Sequence, residues 1–89
     1  MDESLKRKVT AALEAACKPD EHPNIQLDDA GNRIAGLIVS GTFAGESPHE
    51  RQDRIWHYLD ASLNDYERTL ISFIVTETPE EHRALKDDH

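Results

Sequence analysis

Residues 33–81 read RIAGLIVSGTFAGESPHERQDRIWHYLDASLNDYERTLISFIVTETPEE, and the order of signals in that stretch decides the fold. An apolar run over 33–42, carrying Ile34, Leu37, Ile38 and Val39, predicts a strand that is apolar on both sides and therefore central in its sheet. It enters a turn flanked by Gly41 and Gly45. Ser47, Pro48, His49 and Glu50 come next, with a good N-cap, a proline at the first helical position and a glutamate placed to bond back to the cap. A helix is predicted over 48–63, with Ile55, Tyr58, Leu59 and Leu63 as its buried stripe, Trp56 at the edge, and Asn64 and Asp65 ending it. A strand is predicted over 69–76, where Ile71, Phe73 and Val75 alternate with Leu70, Ser72, Ile74 and Thr76. The cap chemistry then repeats in Thr78, Pro79, Glu80 and Glu81, opening a short helix over 79–86 that holds His82 and Leu85. A connection this long between two strands makes them parallel.

Working outward, residues 2–17 predict a first helix, since Leu5, Val9, Ala12, Leu13 and Ala16 fall on one stripe. Pro19 stops it by forcing the preceding residue out of the helical region. Residues 24–28 predict a short strand with Ile25 and Leu27 on one side, and the turn residues of 28–32 pair it with the 33–42 strand as a hairpin. The order is αββαβα, an α+β fold with a three-stranded mixed sheet and helices packed mainly on one face. Residues 1–89 are read as one domain.

Composition narrows the function classes. Cys17 is the only cysteine among 89 residues, so no internal disulfide forms, which suits a reducing compartment. No apolar run reaches membrane-span length and the first residues lack a signal-peptide pattern, so a cytoplasmic protein is expected. The net charge of −8 repels phosphate backbones at long range. Lys6, Arg7 and Lys8 form the only basic cluster, and it is short.

Few residues invite chemistry. His49, Asp53 and His57 recur every four residues and share a helix face, the spacing of a two-histidine, one-carboxylate metal site, although a solvated charged face explains them as well. Cys17 falls at a helix C-terminus, which does not favour a thiolate. No nucleophile, base and orienting group fall in a credible arrangement, so no enzyme and no resident cofactor are expected. The turn from Gly41 through Phe43 and Gly45 to Ser47 leads into a helix N-terminus that can hold an anion or a partner, with Arg51 and Arg54 one turn further on. The competing reading is a tight connection that needs glycine for backbone reasons, with Phe43 as a contact if exposed and a core plug if buried.

These residues carry a resemblance. Ile38-Val39-Ser40, Phe43, Gly45-Glu46, Arg51, Ile55, Leu59 and the ending Thr76-Glu77-Thr78-Pro79-Glu80-Glu81 resemble the BolA family, whose fold is similar to the class II KH fold. The resemblance implies a non-enzymatic adaptor or regulator that works with a monothiol glutaredoxin in iron–sulfur cluster handling and shares a cluster with it. The alternative it implies is a KH-like nucleic-acid-binding regulator. The family's cluster-ligating histidine, near the start of the third strand, falls at about Leu70. Its second ligand comes from the 28–32 loop, which has neither cysteine nor histidine, and the family's arginine–histidine pair in the middle helix reads Arg51-Gln52, followed by Asp53.

Overall fold

A computed structural model describes residues 3–87; the expected helix start at residue 2 and the tail at 88–89 lie outside the described residues. The elements are α1 (Glu3–Ala15), β1 (Asn24–Ala30), β2 (Arg33–Val39), α2 (Pro48–Ser62), α3 (Asp65–Thr69), β3 (Ile71–Glu77) and α4 (Pro79–Asp87). The sheet order is β1-β2-β3, with β1 antiparallel and β3 parallel to the central β2. This is the expected α+β arrangement, with α3 as an addition.

Leu5, Val9, Ala12 and Leu13 turn the α1 stripe inward, and Ile55 and Leu59 do the same for α2, with Leu63 just past its end. Both helices meet Ile34, Ile38, Ile71 and Ile74 on one face of the sheet. Ile25 and Leu27 pack against that core from β1 while remaining half-buried. Gly36 in the middle strand leaves room above it: a Cβ there would come within 2.8 Å of both Leu27 Cδ2 and Ile74 Cδ1, so side chains of the outer strands meet over it. The hairpin closes through Gly31 and Asn32 between the paired Ala30 and Arg33, with Gly31 at a φ of 69° that L-residues rarely adopt.

Several boundaries differ from the sequence reading, each for a local reason. β1 runs on to Ala30, because the tight turn lets Asp28 and Asp29 keep pairing with Ala35 and Ile34. β2 stops at Val39, because Ser40 turns the chain into a 3-10 turn over Gly41–Phe43, its Oγ accepting from Thr42 N at 3.1 Å. α2 ends at Ser62. Asn64 does not simply terminate it but opens α3: its Oδ1 accepts from Glu67 N at 2.8 Å and Glu67 Oε1 accepts from Asn64 N at 3.0 Å, a capping box. Tyr58, expected in the buried stripe, is exposed, and the buried residues of α2 are Arg51, Ile55 and Leu59.

The strict alternation expected in β3 breaks at Ser72. Ile34 pairs with Ile71, but Ala35 pairs with Phe73, so Ser72 is an extra residue on β3. The bulge places Ile71 and Ile74 in the core and turns Phe73 and Val75 to the other face. That face is the one the α1–α2 layer leaves uncovered.

Candidate functional site

The turn after β2 is tied to its surroundings by several side-chain and backbone bonds. Phe43 is fully buried and plugs the end of the core, with the Arg51 guanidinium carbon 6.0 Å from its ring centroid. Thr42 Oγ1 accepts from Lys18 N at 3.0 Å, and Ser40 N donates to Glu77 O at 2.9 Å. Ser47 caps α2, accepting from Glu50 N at 3.1 Å while Glu50 Oε1 accepts from Ser47 N at 2.8 Å. The helix N-terminus is thus filled by the chain's own side chain, and these bonds lower the Glu50 pKa.

The two arginines are engaged from within. Arg51 Nε donates to Glu46 O at 3.0 Å, and its NH1 and NH2 groups bind both Glu81 oxygens at 2.6 and 3.0 Å. Arg54 binds the Glu46 carboxylate, its NH2 group 2.6 Å from Oε2. Hydrogen bonding to Glu81 and to Glu46, respectively, raises both guanidinium pKa values. Thr78 and Glu81 form the cap of α4, at 2.8 and 3.1 Å, so Glu81 serves its own helix and α2 together. Two of the three basic residues of α1 are engaged as well, Lys6 with Asp29 at 3.2 Å and Lys8 with Glu67 at 2.7 Å. Within the expected anion or partner surface at Gly41, Phe43, Gly45, Ser47, Arg51 and Arg54, the Arg51 contact joins α2 to α4 and the Arg54 contact joins α2 to the turn.

Of the two glycines flanking this turn, Gly45 has φ 81° and open space within 4 Å of where a Cβ would sit, whereas Gly41 lies against the Glu21 carboxylate. Gly45→Ala is therefore expected to cost about 1 kcal/mol from backbone strain alone, read as a lower urea midpoint with an unchanged slope. A stabilised variant would contradict the reading.

His49 Nε2 lies 3.2 Å from Asp53 Oδ2, both well exposed, and His57 stands edge-on to Tyr58 at 5.2 Å between centroids. Among the described residues no three histidine, cysteine, aspartate or glutamate side chains come together as a metal site. Cys17 is buried, with Sγ donating to Leu13 O at 3.5 Å.

The positions that the resemblance links to cluster binding do meet in space. Ile34 N donates to Leu70 O at 2.7 Å, bringing the start of β3 beside the β1–β2 turn. A cleft of about 710 Å³ lies there, lined by Gly31, Asn32, Arg33, Tyr66, Thr69 and Leu70 among others. Its polar groups are the Asn32 and Asn64 amides, the Tyr66 and Thr69 hydroxyls, the Arg33 guanidinium and the Glu67 carboxylate, the last bound to Lys8, whereas iron in a cluster takes thiolate or imidazole. The residues present do not fit a cluster ligated by this chain. Gln52, at the family's histidine position in α2, reaches the outer edge of β3, where Nε2 donates to Ile74 O at 2.9 Å.

Sequence reasoning left the second sheet face less covered but assigned none of the residues to it. Phe73, Val75 and Leu85 are 54, 42 and 61% exposed, respectively, and with Ala35 and Leu37 they line a groove of about 450 Å³. Asp28 and Gln26 bound it on β1, and Glu77 and His82 close one end, with Nδ1 of His82 2.8 Å from Glu77 Oε1. The signal that points to it is Phe73 beside Val75 in a strand whose other partners are already covered, and the Ser72 bulge hides it.

The sequence matches no family model and no curated protein. The fold does match solved structures. The crystal structure of a bol-like protein from Babesia bovis is similar to this chain with a TM-score of 0.57 at 19% sequence identity, over 97% of this chain and 94% of that one. The likeness is one of fold.

Proposed function

Because this chain has the fold of a BolA-like protein, we propose that it is a non-enzymatic adaptor that acts by binding a partner protein, with a monothiol glutaredoxin as the first candidate. The observation that supports binding is the exposed apolar face around Phe73, Val75 and Leu85 on a small, acidic domain. In this reading any iron–sulfur cluster is cargo held by the partner's ligands, because Leu70 and the β1–β2 turn offer none. Nucleic acid is the weaker partner: Lys6, Lys8, Arg51 and Arg54 are already engaged with carboxylates.

Mixed anaerobically with a cluster-loaded monothiol glutaredoxin, the chain is expected to co-elute with it and to leave the cluster's visible absorption and circular dichroism as they are in the glutaredoxin alone. Leu70→His restores an imidazole beside the β1–β2 turn and is expected to change that spectrum. Separate elution at micromolar concentration sinks the glutaredoxin assignment. A spectrum changed by the native chain would show that it ligates the cluster after all.

A further inference from the structure

The open sheet face has a definite shape and charge. Along the central strand, Ala35 makes a low floor, with Phe73 beside it on β3 and Leu85 of α4 rising behind. Asp28 pairs with Ala35 across β1, while Glu77 pairs with Val39 at the far end of β2. Asp28 and Glu77 are thus four residues apart along the strands and on opposite outer strands, so about 13 Å by about 10 Å separates them, roughly 16 Å along the diagonal. The lining contains no lysine or arginine, and its one other ionisable group is His82, already turned to Glu77.

We propose that this groove takes an amphipathic helix of a partner protein, with an apolar ridge over Ala35, Leu37 and Phe73 and basic residues at the Asp28 end. The proposal rests on the adaptor reading and specifies the kind of segment the partner presents. A helix suits the face because it satisfies its own backbone, whereas an added strand needs main-chain partners that only a sheet edge supplies. The diagonal of roughly 16 Å is about three helical turns, the length of apolar ridge the partner helix lays along the groove. Charge selects the sign: the exposed Asp28 carboxylate, on a chain of net charge −8, attracts a basic segment, while Glu77 is buried against His82. The same charge opposes a second copy, since two such faces would bring like carboxylates together.

The test uses the whole chain and two synthetic 18-residue helical peptides with the same leucine ridge, one flanked by lysines and one by glutamates. Amide shift changes are expected on β2, β3 and α4 around Leu37, Phe73 and Leu85 with the lysine peptide and none with the glutamate peptide. Phe73→Glu separates docking from diffuse attraction. It makes the face more acidic, so non-specific binding would tighten, whereas groove docking loses about tenfold or more from the missing ring. Asp28→Lys is expected to weaken binding several-fold, and Tyr66→Glu, in the cleft on the other side of the sheet, to leave it unchanged.

Shift changes confined to other surfaces, tighter binding by Phe73→Glu, or concentration-dependent shifts of the chain alone would overturn the proposal, the last by making a second copy the occupant. A glutaredoxin that binds Phe73→Glu as well as the native chain also overturns it, while leaving the adaptor reading standing. A glutaredoxin that does not bind, beside a lysine peptide that maps to the groove, removes that partner and supports the groove.

Discussion

Phe43→Ala is expected to cost about 3–5 kcal/mol, the range for deleting a buried phenylalanine ring. A domain of this size holds about 5–15 kcal/mol in all, so the variant sits near the edge of folding. The expectation follows from where the ring lies. Phe43 is among the largest fully buried side chains, in a 3-10 turn whose backbone is pinned by Ser40 and Thr42 and cannot collapse into the space. Loss of the ring also removes the surface under the Arg51 guanidinium, so the cavity opens against a charge. Urea unfolding followed by circular dichroism measures the loss, and Phe43→Leu should recover more than half of it. A cost below about 1 kcal/mol for the alanine variant would mean that the turn relaxes freely.

Arg51→Ala is expected to cost about 2–3 kcal/mol. It removes one hydrogen bond to the Glu46 carbonyl and a two-pronged contact with Glu81, bonds worth more than neutral ones because both partners are charged. The cost stays under that of a fully buried pair because the abandoned Glu81 carboxylate is almost half exposed and rehydrates.

The same contact has a pH signature. The Arg51 hydrogen bond, aided by the Thr78 backbone, lowers the Glu81 pKa from an ordinary 4.5 to about 2. A carboxylate more acidic in the folded than in the unfolded chain stabilises fully above pH 4.5, and that contribution fades as pH falls from 4.5 towards 2. With Glu81 so exposed, solvent screening holds it to about 1 kcal/mol. Glu81→Gln should therefore be less stable than the native chain at pH 6, with the gap closing by about 1 kcal/mol as pH reaches 2. A gap constant with pH would show that the pair acts through shape alone.

The fold was legible because its signals are local and repeated. Ser47 with Glu50 and Thr78 with Glu81 mark helix starts by side chains that bond within three residues, and the stripe of Leu5, Val9 and Leu13 needs only a period. What stayed hidden depends on pairing between distant residues. The Ser72 bulge exists because Ala35 sits opposite Phe73, and no feature of 69–76 read alone reveals that register. The α3 capping box was visible in Asn64 and Glu67, but Asn64 directly after a helical stripe reads equally well as a stop. The candidate site divided in the same way. Arg51 and Arg54 were correctly placed one turn beyond the glycine turn, yet only the fold brings Glu81 to one and shows Glu46 folded back on the other.

The Gln52 amide on the Ile74 carbonyl bears on how this protein behaves in concentrated solution. A three-stranded sheet has two borders where further chains can add. On the β3 side one carbonyl of the border, that of Ile74, is occupied by a side chain reaching down from α2, a geometric block that dissolved ions do not undo. Among the described residues, no backbone bond joins β1 to anything but β2, and its protection comes from the Asp28 carboxylate, since Asp29 is paired with Lys6. That protection works by repulsion and shrinks as ionic strength rises, since charges interact over only about 10 Å at 0.1 M salt. Self-assembly in high salt would therefore begin at β1 and have one polarity, with growth from a single border.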